Sequence, residues 1–178
     1  MSVWGAIIMG FFGSVFASLT MHWQWGFTGI LLVIPFSVFA IIFLLAVCVL
    51  RMSEQRNALS ERTKKAIIWS SMAEGIGLFI ASTIVANLHR PEWQLPVMAL
   101  IVGLHFQPIA FAASYPPFYM LAGVLIASAI IGVVAAAPTG GEIAGVMAAT
   151  SLWIAALFGV ARDWRSKKAS ASILRAGT

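Results

Sequence analysis

Residues 66–113 read AIIWSSMAEGIGLFIASTIVANLHRPEWQLPVMALIVGLHFQPIAFAA, and this stretch decides the fold. Two long apolar segments are joined by the short polar hinge His89-Arg90-Pro91-Glu92. Each segment has the roughly 20 residues that a helix needs to cross a bilayer. The stretch therefore predicts two consecutive membrane helices that run in opposite directions.

The rest of the chain has the same character. Of its 178 residues, 61% are hydrophobic and only 10% are charged, and the mean hydropathy is +0.95, so an ordinary soluble domain is excluded. We predict an all-α integral membrane protein with one six-helix transmembrane domain at residues 1–165 and a polar cytoplasmic tail at 166–178. The six predicted spans are residues 3–21, 27–50, 66–88, 95–113, 118–137 and 143–161.

The first span has a competing interpretation as a secretory signal, because Val15-Phe16-Ala17 has the small residues of a cleavage site. No Lys or Arg precedes the apolar run, so we expect the segment to remain as a membrane helix.

Basic residues predict the orientation of the bundle. All but Arg90 lie either between spans two and three or after span six; they are Arg51, Arg56, Arg62, Lys64, Lys65, Arg162, Arg165, Lys167, Lys168 and Arg175. With six spans these two segments lie on the same side, and the positive-inside rule makes that side cytoplasmic, with both termini. The net charge of +5 is then an orientation signal and does not predict nucleic-acid binding. Segment 51–65 forms either a short surface helix or a solvated linker.

Two ionisable residues lie within the predicted spans. Glu74 lies in span three and His105 in span four, and an unpaired charge at such depth costs about 3 kcal/mol or more. Ser70 lies one turn before Glu74 on the same face. Gln107 and Pro108 follow His105, and a proline removes a helical hydrogen bond and predicts a kink or local unwinding near residues 104–108. These residues are the candidate pathway for a substrate or a proton, and the competing interpretation is a structural kink beside a hydrogen-bonded histidine.

Glu74 and His105 are predicted to meet. Each lies eight residues from the cytoplasmic end of its span, which places both at a depth of about 12 Å. The two helices are consecutive and joined by a short hinge, so they are expected to be neighbours. Such a pair is suited either to relaying a proton or to holding two helices together.

The sequence offers little for other chemistry. Cys48 is the only cysteine, so an intramolecular disulfide and cysteine-rich metal sites are excluded. His22 and His89 are predicted near the outer face, far from the depth of His105, so no histidine pair is placed to bind haem. Glu74 and His105 supply at most two metal ligands, which leaves open only a metal shared between subunits. We therefore predict no cofactor, no resident metal and no catalytic residue.

The middle third of the chain carries a resemblance. The residues Gly103-Leu104-His105-Phe106-Gln107-Pro108-Ile109-Ala110, with Trp69 and Glu74-Gly75 in the preceding span, resemble a pattern in small uncharacterised bacterial six-span proteins. The resemblance implies a location in the bacterial inner membrane and implies no activity.

Three function classes follow, in order of preference. The first is a transporter or channel for a small solute or a proton, because the intramembrane ionisable residues are few and central. The second is an accessory or binding subunit whose polar pair only fixes helix register. The third is an intramembrane enzyme. The small residues Gly10, Ser14, Ala17 and Ser18 on one face of span one also predict close helix packing and a homo-oligomer.

Overall fold

The computed structural model describes residues 3–52, 60–135, 137 and 139–176. Six α-helices form the fold, and no strand occurs in these ranges. They are α1 (Val3–Trp23), α2 (Pro35–Arg51), α3 (Glu61–Asn87), α4 (Gln94–Ala113), α5 (Pro116–Val134) and α6 (Thr139–Ala176). Short 3-10 turns at Gly29–Val33 and Pro91–Trp93 precede α2 and α4. Six helical segments in the described ranges are long and apolar enough to cross a membrane, which agrees with the six predicted spans.

The helices alternate in direction, so the bundle has two chemically different ends. At the hinge end, where His89 to Glu92 join α3 to α4, the indole N–H of Trp25 donates to Glu142 at the start of α6 (2.9 Å). At the opposite end, here called the basic end, the ammonium of Lys167 donates to the carbonyls of Val49 (2.7 Å) and Met52 (2.8 Å). Lys167 thereby bonds to carbonyl groups at the end of α2, of which that of Val49 also accepts the amide N–H of Met52.

Small residues let α1 pack tightly between α2 and α6. A side chain at Gly13 would lie 2.7 Å from the ring of Trp153 on α6, and one at Gly10 would lie 3.1 Å from Ile42 on α2. The hydroxyl of Ser14 donates to the carbonyl of Pro35 (2.9 Å) and accepts from the indole of Trp153 (3.3 Å). The face of α1 that carries the small residues therefore packs against helices of the same chain. Close packing is needed there because lipid leaves no hydrophobic driving force between membrane helices.

The core lies among α1, α4, α5 and α6. Its largest fully buried side chains include Phe16, Leu95, Leu125 and Leu152, and Ile42 extends it to α2. Gly103 brings α4 close to α5, because a side chain there would lie 3.1 Å from Leu125.

Helix α3 is at the periphery and packs chiefly against α4. Only Thr63, Ser70 and Val85 are buried along its length. Its outer face exposes many large apolar side chains: Ile68, Trp69, Met72, Ile76, Phe79, Ile80 and Ile84. A face of this composition is suited to lipid or to another membrane helix.

Helix ends differ from the sequence predictions. Helix α3 begins at Glu61, five residues before the predicted span, because Ser60 caps it by accepting the amide N–H of Thr63 (3.2 Å). Helix α6 continues to Ala176, so the predicted boundary at residue 165 falls inside a continuous helix. Of the segment 51–65, residues 53–59 lie outside the described ranges, and the residues from Glu61 onward belong to α3.

Span four was predicted to be bent or locally unwound near residues 104–108. Helix α4 is continuous from Gln94 to Ala113, with Pro108 inside it, so it is not unwound there. A bend at Pro108 stays a prediction. Proline lacks only the amide that would bond to Leu104, and the neighbouring bonds keep the helix together.

Candidate functional site

Glu74 and His105 meet at the interface of α3 and α4. The Nδ1 atom of His105 lies 3.4 Å from the Oε2 atom of Glu74, so the predicted contact is confirmed. The side chains are 14% exposed for Glu74 and 10% exposed for His105. Both side chains are thus largely buried. A lone charge is costly in such a buried position, whereas a pair of ionisable groups is tolerated.

A small cavity adjoins the pair. Its volume is about 30 Å³, enough for one or two water molecules. Its walls are otherwise apolar and come from α1, α4 and α6: Ile8, Met9, Phe12, Val102, Phe106 and Leu152. Among the residues that the structure describes, Glu74 and His105 are therefore the only ionisable groups that line it. A proton that enters this space has these two side chains as its acceptors.

The contact between the two side chains is close without being a hydrogen bond. The Nδ1 atom is buried and has no hydrogen-bond partner in the described part of the chain, although the carboxylate is within ion-pair distance. Buried polar atoms are rarely left in this condition in folded proteins, and such exceptions mark functional groups or ordered water. A water molecule in the adjoining cavity would satisfy the ring nitrogen and connect it to the carboxylate.

Three contacts hold α3 against α4 on either side of the pair. Toward the hinge end, the amide of Gln94 donates to the hydroxyl of Ser82 (2.6 Å). Toward the basic end, the hydroxyl of Thr63 donates to the carbonyl of Ala112 (3.2 Å). One turn from Glu74, a side chain at Gly77 would lie 3.2 Å from Ile101.

Of the other predicted site residues, Ser70 lies beside the pair, and Gln107 and Pro108 lie on the surface. Ser70 is buried one turn from Glu74, and its hydroxyl donates to the carbonyl of Ile67 in its own helix (3.3 Å). Gln107 and Pro108 are exposed on the surface of α4. Two residues along a helix correspond to a rotation of about 200°, so Gln107 points away from the side of α4 that carries His105. The structure therefore brings together the pair alone, with Ser70 beside it.

The arrangement offers little for a metal ion. No group of three or more His, Cys, Asp or Glu side chains is close enough to hold a metal within the described ranges. The pair would supply two ligands, and a stable structural site needs about four.

Sequence reasoning missed the walls of the cavity. Ile8, Met9 and Phe12 are ordinary apolar residues of α1, and Leu152 is an ordinary residue of α6. Nothing in their type distinguishes a residue beside a polar pair from one in a dry core. A spatial arrangement of helices is needed to identify them.

Comparisons with known proteins do not identify a family. No protein-family model matches the chain, and it is not similar to any curated protein or solved structure at a significant level.

Proposed function

We propose that this protein moves protons across a bacterial inner membrane through the Glu74–His105 pair. The observation that supports this proposal is the position of the two ionisable side chains. The Nδ1 atom of His105 and the Oε2 atom of Glu74 lie 3.4 Å apart, and both side chains are largely buried beside a water-sized cavity. Ionisable groups inside membrane bundles are costly, and where they occur they commonly serve ion or proton pathways.

The chemistry of the pair suits a single mobile proton. Imidazole changes its charge near neutral pH and can bind or release a proton at either ring nitrogen. The carboxylate of Glu74 stabilises the imidazolium when the proton is on His105, and it can itself accept the proton. Transfer between the two groups needs only a short movement or one bridging water.

The proposal includes a location and an orientation. The basic end faces the cytoplasm together with both termini, and the hinge end faces outward, because Arg and Lys concentrate on the cytoplasmic side of membrane proteins. Copies of the chain associate in the membrane as a homo-oligomer through exposed apolar side chains of the bundle.

Proton flux into liposomes tests the function. Purified protein is reconstituted with an internal pH-sensitive dye, and a pH gradient is imposed. The wild-type protein is expected to dissipate the gradient, and Glu74→Gln to reduce the rate to that of protein-free vesicles. The matched control is Glu61→Gln, which removes an exposed carboxylate paired with Lys64 at the basic end and should leave the rate unchanged. Folded Glu74→Gln protein with the wild-type rate would refute the proposal.

A second candidate is an accessory subunit of a larger membrane complex. The broad apolar face of α3 supports it, since a partner helix would cover the same side chains as lipid does. Affinity purification from native membranes distinguishes the two functions. A stoichiometric partner that is retained by the wild-type chain and lost on substitution of exposed α3 residues such as Phe79→Ser favours the accessory role.

A further inference from the structure

A second and larger cavity lies at the hinge end of the bundle. Its volume is about 610 Å³, within the range typical of small-molecule sites. It is lined by Trp23 at the end of α1, Gln24 after it, Val85 and the end of α3, and Gln94 at the start of α4. Neither Glu74 nor His105 borders it, so it is separate from the pair.

The cavity carries side chains of both charges. Arg90 and Glu92 line it and pair with each other at 3.3 Å. A guanidinium has five N–H donors, so one contact with Glu92 leaves donors for a second anion. Its planar fork matches the oxygen atoms of a phosphate group, while the carboxylate of Glu92 suits an ammonium group. The Trp23 ring adds an aromatic surface, which favours a cation near its face.

His89 also borders this cavity, in a strained backbone conformation. Its φ is +54°, in the left-handed region where glycine is preferred. The amide N–H groups of His89 and Arg90 donate back to the carbonyls of Ala86 and Val85, which closes the end of α3. His89 lines the cavity together with Arg90, and its imidazole can supply a further donor.

Residues of α1, α3 and α4 line both cavities. Glu74 precedes Val85 by eleven residues, which is about 16 Å along α3. One leaflet of a bilayer has a hydrocarbon thickness of about 15 Å, half of the whole. A lipid with its head in the hinge-end cavity would therefore extend its acyl chains to the level of Glu74.

We propose that the hinge-end cavity binds the head group of a phospholipid that carries both a phosphate and an ammonium, such as phosphatidylethanolamine. Arg90 and His89 bind the phosphate, and Glu92 with Trp23 binds the ammonium. In this proposal the acyl chains extend from the cavity along the exposed apolar surface of the bundle. The binding site stands whether or not the pair moves protons, because none of its contacts involves Glu74 or His105.

Native mass spectrometry of the full chain tests the site. Protein in mild detergent is mixed with equal amounts of phosphatidylethanolamine and phosphatidylglycerol, and retained lipid is counted. The wild-type protein is expected to retain one phosphatidylethanolamine per chain. Arg90→Ala should lower its retention about tenfold, because a charge-assisted contact with the phosphate is lost. The control Lys65→Ala removes an exposed cation at the basic end and should change nothing.

Glu92→Gln tests the preference between the two lipids, which is a more specific measurement than loss of binding. Without the carboxylate, the preference for the ammonium head group should disappear, and phosphatidylglycerol should be retained equally well. Circular dichroism confirms that each variant is folded. The proposal is overturned if the wild-type chain retains no phospholipid, if Arg90→Ala retains as much as wild type, or if Glu92→Gln keeps the original preference. Stabilisation of delipidated protein by glycine, a soluble zwitterion, without any effect of lipid would also overturn it.

Discussion

At the scale of single residues, Glu74 and His105 depend on each other. Both side chains are largely buried, and no other ionisable group in the described part of the chain lines the cavity beside them. Removal of one partner leaves the other buried and without a counter-charge, which costs more than the loss of the contact itself.

A double-mutant cycle is expected to show this dependence. Glu74→Ala and His105→Ala should each lower the free energy of unfolding in detergent micelles, and the double variant should lose less than their sum by roughly 1–2 kcal/mol. The exposed pair Glu61–Lys64 serves as the control, because surface ion pairs couple by well under about 1 kcal/mol. Additive effects at Glu74 and His105 would mean that the two side chains do not interact.

The meeting of these two residues was predictable, and their surroundings were not. Equal distance from the ends of the two predicted spans placed Glu74 opposite His105 in depth, and in the structure the two residues lie 13 and 11 residues from the hinge-end termini of α3 and α4. The rotation of each helix about its axis is set by packing, and this is why Gln107 was grouped with His105 although it faces away. The same packing brings Phe12 of α1 to the cavity, and no residue type in α1 indicates that.

At the scale of helices, α3 is attached to the bundle along one narrow face. Gly77 allows α3 to approach Ile101 of α4 closely, whereas Gly75, two residues earlier, has nothing within contact distance. The position of Glu74 relative to His105 therefore depends on the small size of residue 77.

The two glycines provide a matched comparison. Gly77→Leu should push α3 away from α4, lower the free energy of unfolding by about 1–3 kcal/mol and reduce proton flux, because the added side chain overpacks the interface. Gly75→Leu should leave both quantities nearly unchanged and so controls for helix propensity. The unfolding midpoint and the liposome flux of the two variants are the measurements. Equal effects of the two substitutions would show that α3 does not dock through Gly77.

The sequence predicted the number of helices more directly than it predicted where each helix begins and ends. Apolar length alone identifies six spans, because only a continuous helix satisfies its backbone in lipid. The predicted boundary between the membrane domain and the polar tail at residue 165 is not a helix end, because Arg and Lys are good helix formers and α6 continues beyond its apolar part. Pro108 was expected to bend or locally unwind α4, and the hydrogen bonds of the flanking turns keep the helix continuous.

At the scale of the whole molecule, the bundle has a basic end and a hinge end. Arg51, Arg62 and Lys167 lie at the basic end, and Arg90 lies at the other with Glu92 beside it. This asymmetry is the basis for the proposed orientation.

Cysteine labelling in intact cells tests the orientation. Cys48 is first replaced by alanine, and single cysteines are introduced at Pro91 and Ser172, both of which are exposed. Pro91→Cys should react with a membrane-impermeant reagent, and Ser172→Cys should react only after the membrane is permeabilised. The opposite pattern would invert the proposed topology.

The central claim is that the pair exchanges a proton, and infrared difference spectroscopy measures this most directly. Spectra of the purified protein in lipid are recorded as the pH is changed across the neutral range, and Glu74→Gln identifies the bands of the Glu74 carboxyl group. We predict that a signal from Glu74 or from the His105 ring changes with pH in the wild-type protein and that Glu74→Gln abolishes or displaces it. Signals of both groups that stay constant across this range would show a static pair and would contradict the account.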